Sequence, residues 1–166
     1  LFELHPTDEP LLARFFREEK VRVKVERADG FAMLPGLLPP PSRRAVVLMD
    51  PPYEVKTDYR RVTEVLDSAL RRFPTGTYLI WYPLLQRPEA RQLPERLGKL
   101  GAESWLRAEL SVSRPPREGF GMYGSGLFVI NPPWHLPQRL KPALAWLAEE
   151  LGKSGEGSYV LESEIP

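Results

Sequence analysis

The chain has no cysteine and only two histidines in 166 residues. Without thiols there is no disulfide, no thiolate nucleophile and no cysteine-ligated zinc. His5 and His135 are too isolated to form an acid–base couple, and His5, between Leu4 and Pro6, reads as a turn residue. No apolar run approaches the roughly 18 residues of a membrane-crossing helix. No secretory leader is recognisable either, so a cytoplasmic protein without a membrane partner is expected. Net charge is only +1, which excludes a strong overall field for nucleic acid. The G-x-S-x-G elbow, the P-loop and the G-x-G-x-x-G fingerprint are all missing, and hydrolase, nucleotidase and dinucleotide readings lose their motif with them. No spacing of ligands marks a metal site, and none is expected.

What is present is ordinary in bulk: 42% hydrophobic and 27% charged residues. That composition and length fit one globular domain over residues 1–166. Proline is abundant, at 19 residues, and 17 of the 23 basic residues are arginine. Arginine suits bidentate phosphate contacts, although a GC-rich coding sequence has the same effect on composition.

The central feature is Asp50-Pro51-Pro52-Tyr53, directly after the aliphatic run Ala45 to Met49. A short run of this kind reads as a buried parallel strand, and ligands of open α/β sheets sit outside the carboxyl ends of such strands. Two prolines fix φ and push the residues before them toward extended geometry. A carboxylate, a free carbonyl and an aromatic face are thereby held together, which suits an exocyclic amine on a flat ring. A second match, Asn131-Pro132-Pro133-Trp134, follows Leu127 to Ile130; at least one of the two reads equally as a plain strand-end turn.

Strand and helix alternate along the chain, which predicts an α/β sheet with an antiparallel pair near its end. Leu1 to Leu4 reads as a strand end, and Thr7 or Asp8 as the cap of a helix from Glu9 to Lys20. Val21, Val23 and Val25 read as an edge strand, and Phe31 to Leu38 as a short helix. Asp58 is expected to cap a helix to Arg72 whose inner face is Val62, Val65, Leu66, Ala69 and Leu70. Tyr78 to Tyr82, Trp105 to Val112 and Leu127 to Ile130 are further strands. Helices are expected over Pro88 to Leu100 and Pro137 to Leu151, each ended by a glycine.

Three acidic residues stand at successive strand ends: Glu3, Asp29 and Asp50. There they can take ribose hydroxyls and an adenine amine, although acidic residues at strand ends are also common turn chemistry. Ser113 to Gly126 reads as a long connection. Its run of Gly119, Gly121, Gly124 and Gly126 with Phe120, Met122 and Tyr123 suits a lid or nucleic-acid loop, with Arg114 and Arg117 as phosphate contacts. A plain hairpin loop fits about equally well.

The residues together resemble the adenine-N6 methyltransferases of 23S ribosomal RNA of the RlmJ type. The likeness runs through Glu3-Leu4-His5-Pro6, Ala28-Asp29-Gly30-Phe31, Ser42-Arg43-Arg44, Asp50 to Glu54, Lys56 to Tyr59, Trp81-Tyr82-Pro83, Gly121-Met122, Ser125-Gly126 and Asn131 to Trp134. It implies a Rossmann-like class I methyltransferase sheet, S-adenosylmethionine as methyl donor and 23S rRNA as substrate. It also implies catalysis at Asp50, Pro51 and Tyr53, and cofactor contacts from Glu3, Asp29, Gly30 and Asp50. Tyr53, Arg114 and Arg117 are the expected substrate contacts, with Tyr53 stacked on the target base. Asn131-Pro132-Pro133-Trp134 becomes the strand-end turn. Family members carry a first strand and a glycine-rich cofactor loop before the point that matches Leu1, so the chain is expected to be the C-terminal portion of such a domain, and monomeric. Where the family has arginines before the Gly-Met of the long loop, Gly119 and Phe120 stand here. The rival expectations are a methyltransferase of DNA adenine or protein glutamine, and a non-catalytic RNA- or protein-binding fragment.

Overall fold

A computed structural model describes residues 1–19, 22–117, 119 and 121–165. Ten principal elements follow one another in it. Helix α1 spans Asp8–Glu18, α2 Gly30–Leu37, strand β1 Val46–Met49, α3 Lys56–Arg72 and β2 Thr77–Leu84. Then come α4 Pro88–Gly98, β3 Trp105–Ser111, β4 Gly124–Ile130, α5 Leu136–Leu151 and β5 Ser158–Glu164. The sheet order is β1-β2-β4-β3-β5. Within this sheet, among the described residues, β1 and β2 run parallel and the other neighbouring pairs are antiparallel.

Side-chain alternation assigns the two faces. On one, Tyr78, Ile80 and Tyr82 of β2 with Phe128 and Ile130 of β4 pack against Val62, Leu66 and Ala69 of α3 and Leu93 and Leu97 of α4. The expected inner face of α3 is thus the one that is buried, at 3.6-residue spacing. Each aliphatic side chain fully buried there contributes about 1.5–3 kcal/mol. On the other face, Leu106, Ala108 and Val129 pack against Leu144 of α5.

Several local expectations are corrected. Thr7 takes the N-cap position of α1 with helical backbone angles and makes no side-chain cap. Asp58 does not cap α3: Val55 holds that place in an extended conformation and Asp58 lies in the first turn. There its carboxylate opposes the positive end of the helix dipole without terminating the ladder. The strands expected at Leu1 to Leu4 and around Val23 reduce to one parallel bridge between Phe2 and Glu26; Lys20 and Val21 lie outside the described residues. The long connection is shorter than expected, because Gly124, Ser125 and Gly126 already belong to β4. Strand β5 was not expected at all.

Candidate active site

β1 delivers its last residue, Met49, into the core, and the chain emerges at its carboxyl end as Asp50. Asp50 is exposed. Among the described residues, no donor reaches its carboxylate and no group pairs with it. Partial desolvation of that carboxylate, with nothing to offset it, raises its pKa above the ordinary value. The pair of prolines follows, and then the chain reverses at Tyr53 with φ +54°. A left-handed φ is unfavourable for a bulky residue and persists only where the surroundings over-determine it.

Those surroundings are well defined. The Tyr53 side chain is 2% exposed, with its ring 4.7 Å from that of Tyr59 and 6.4 Å from that of Trp81. Its hydroxyl donates to the Trp81 carbonyl at 2.7 Å. Burial and the neighbouring tyrosine and carboxylates push its pKa far up. The expected open aromatic face is therefore not found: the ring is buried in the core and anchors the turn. Around the same turn, Arg87 Nη1 donates to the Tyr53 carbonyl at 3.4 Å, and Lys56 pairs with Glu89 at 3.1 Å. Three buried atoms here, Asp58 Oδ2, the Tyr59 hydroxyl and Glu89 Oε2, have no hydrogen-bond partner among the described residues.

Asp29 is the N-cap of α2 and accepts from the Phe31 amide at 3.0 Å. Its other oxygen pairs with Arg61 of α3, whose guanidinium also lies 4.5 Å over the Phe31 ring. Burial works to raise the Asp29 pKa, but Arg61 and the Phe31 and Ala32 amides outweigh it and hold the carboxyl below its ordinary value. Asp29 is thus tied to the helix that follows the Asp50 turn. Gly30 lets the first residues approach, since a Cβ there would stand 3.3 Å from that of Phe2. Glu3 accepts from the His5 amide at 2.7 Å, the turn role weighed for it. It also borders a groove of about 350 Å³ with Asp8, Leu11, Leu12 and Phe15. A second cavity of about 290 Å³ lies between α4 and β3, with Arg91, Arg107 and Glu109 in its wall. Neither cavity includes Asp50.

The expected RNA contacts differ from each other. Arg114 pairs with Glu156 at 3.1 Å, whereas Arg117 is exposed; Phe120 lies outside the described residues. Asn131 turns the chain at φ +53° and donates from Nδ2 to the carbonyls of Pro74 and Gly76, both at 2.7 Å. Because β4 runs against β2, this tetrapeptide sits at the amino end of β2, away from Asp50. It is a strand-end turn, as expected. Sequence reasoning did not single out Arg61 or Arg87. The one available signal for Arg87 was its place between a strand and a helix-starting proline.

A mixed sheet with helices on its faces, and a carboxylate–proline turn at the carboxyl end of its parallel strand, is that of a Rossmann-like class I methyltransferase. The profile of the family described as ribosomal RNA large subunit methyltransferase D, RlmJ, matches residues 1–164. The chain belongs to this family. It is 42% identical over 166 residues to the ribosomal RNA large subunit methyltransferase J of Escherichia coli, covering all of this chain and 59% of that protein. The protein of the same name in Haemophilus influenzae is also 42% identical, with 58% of its length covered. A Legionella pneumophila protein of known crystal structure superposes with a TM-score of 0.89 at 34% identity, over 99% of this chain and 60% of that one. The chain therefore spans about three fifths of the length of these relatives.

Proposed function

We propose that the protein transfers a methyl group from S-adenosylmethionine to N6 of an adenine in 23S rRNA, and that residues 1–166 form one portion of a single methyltransferase domain. The observation that carries this reading is the unpartnered carboxylate of Asp50 at the carboxyl end of β1, next to the Pro51 carbonyl. The relatives' names support rRNA as substrate. Their greater length, together with the free edge of β1, supports a domain with further elements.

S-adenosylmethionine, when bound, supplies an electrophilic methyl. The acceptors present fit part of that molecule: Glu3 would take ribose hydroxyls and Asp29 the adenine amine, while Asp50 would stand between the cofactor and the target base. Gly30 keeps the backbone beside them free of a side chain.

The N6 amine of adenine is a poor nucleophile because its lone pair is delocalised into the ring. Its two N–H groups donate to the Asp50 carboxylate and the Pro51 carbonyl, which favours the pyramidal form and aims the lone pair at the methyl. As the new N–C bond forms, the methyl–sulfur bond would break with its electron pair left on sulfur, giving S-adenosylhomocysteine; the nitrogen gains acidity and its proton passes to Asp50. The raised pKa of Asp50 brings it closer to that task. Tyr53 serves by holding the reversed turn through its hydroxyl and packed ring, not by stacking on the base. Arg114 and Arg117 contact RNA phosphates, Arg114 at the cost of its pairing with Glu156. The protein acts on rRNA in the cytoplasm as a monomer, without a metal.

Transfer of labelled methyl from S-adenosylmethionine to a 23S rRNA fragment, in competition with duplex DNA and protein, tests this. Asp50→Asn is expected to lower turnover by about 10²–10³-fold, the loss typical when a preorganised polar group at a reacting centre is removed. Near-normal turnover of that variant, or preference of the wild type for DNA or protein, overturns the reading.

A further inference from the structure

The residues between β2 and α4 reach in two directions at once. Arg87 Nη1 donates to the carbonyl of Tyr53 in the Asp50 turn at 3.4 Å. Its neighbour Gln86 donates from Nε2 to the carbonyl of Pro116, in the β3–β4 connection, at 2.8 Å. The connection is held to the same strand end a second time, where the Tyr123 amide donates to the Leu84 carbonyl at 3.2 Å. Gln86 and Arg87 themselves are held firmly. The Arg87 backbone is the extended N-cap of α4, and Pro88 stands at the start of the helix, where its fixed φ is pre-organised and its missing N–H costs nothing. Arg87 also lies beside the Tyr59 hydroxyl and the Glu89 carboxylate, and its charge acts on both.

We propose that Gln86 and Arg87 are positioning residues. Arg87 fixes the catalytic turn through the Tyr53 carbonyl, and Gln86 fixes the substrate connection through the Pro116 carbonyl. The two adjacent side chains thereby set where the RNA backbone lies relative to the reacting amine. The inference rests on the proposed reaction and adds two residues that make no contact with cofactor or base. Tyr53 is the place where such support is needed, because its left-handed backbone has to be held by its neighbours. A displacement of the reacting groups by about 1 Å can cost about 10²-fold in rate.

The two residues predict different kinetic signatures. Arg87→Met keeps the length of the side chain and removes its donors. It should lower kcat by about 10- to 100-fold, with the affinity for S-adenosylhomocysteine and the KM for RNA each within twofold of wild type. Arg87→Lys, which restores one donor on a flexible stem, should recover part of the loss. Gln86→Ala should raise the KM for RNA several-fold and leave kcat within twofold. A second readout does not depend on turnover: Arg87→Met should weaken the near-ultraviolet circular dichroism of the packed Tyr53, Tyr59 and Trp81 rings, and Gln86→Ala should not. Unchanged kcat in Arg87→Met, equal losses in kcat and ligand affinity, or an unchanged aromatic signal each overturn the proposal. If the wild type transfers no methyl to rRNA, the proposed function fails, and the aromatic signal still decides whether Arg87 holds the turn.

Discussion

Asp29 and Asp50 are carboxylates whose surroundings push them in opposite directions. Asp29 sits between a guanidinium and helix amides, while Asp50 is partly desolvated with nothing to compensate it. A lowered carboxylate pKa means that the folded state binds that proton less readily than the unfolded chain. Its stabilisation is complete above the ordinary value of 3.8 and is lost as pH falls below it through the folded-state pKa. Asp29→Asn keeps a capping oxygen for Phe31 but loses the ion pair with Arg61. The difference in urea midpoint between wild type and this variant should be clear at pH 6 and should shrink by pH 3. A difference that is the same at both pH values would show that the charge on Asp29 contributes nothing. At this scale the turn that carries Asp50 was legible: an acidic residue followed by two prolines after an aliphatic run identifies a strand-end turn from covalent geometry alone. The burial of Tyr53 was not legible. Its neighbours in sequence are polar or proline, and only the fold shows Tyr59 and Trp81 closing over it.

Strand β4 shows how packing overrides propensity in an element. Glycine is depleted in strands, so Gly124 and Gly126 read as loop, yet both pair in register with β2 and β3. The reason is space. A Cβ on Gly126 would come within 2.3 Å of the Tyr82 ring, and one on Gly124 within 2.2 Å of the Leu110 carbonyl. The Tyr82 ring that crosses Gly126 extends its hydroxyl to the buried Glu109 at 2.8 Å, and Arg107 donates to the same carboxylate at 2.9 Å. Gly126→Ala should therefore destabilise by about 1–3 kcal/mol, as overpacked cores do, because the ring has to swing away from Glu109. Chemical denaturation measures it, and a midpoint unchanged from wild type would mean that the sheet yields locally. Helices were easier to read than strands: α3, α4 and α5 announce themselves by period and by proline or glycine at their ends. β5 escaped notice although Gly152, Gly155 and Gly157 mark a turn before it: its apolar run is only Tyr159-Val160-Leu161, and most of Ser158–Glu164 is exposed.

The molecule as a whole has one well-covered half and one bare margin. Among the described residues β1 pairs only with β2, and Val46 and Leu48 are 72% and 63% exposed. An unpaired strand edge beside bare aliphatic side chains is a template for association. Sedimentation of residues 1–166 by themselves, in contrast to the whole protein proposed to be monomeric, should accordingly show self-association that rises with concentration, and Val46→Glu with Leu48→Glu should suppress it. A chain that stays monomeric at all concentrations would show that this margin is harmless by itself. The opposite case is the beginning of the chain. No residue of α1 is buried, and the first strand-like residues are held by the Glu3 amide on the Glu26 carbonyl and the Glu26 amide on the Leu1 carbonyl. Such a segment opens at far lower free energy than the sheet, and Glu3 travels with it. On the proposed role of Glu3, cofactor affinity carries a factor for the fraction of molecules in which this segment is docked: docking in one molecule in ten weakens the apparent affinity about tenfold. Anything that pins α1 would strengthen binding without touching the ligand.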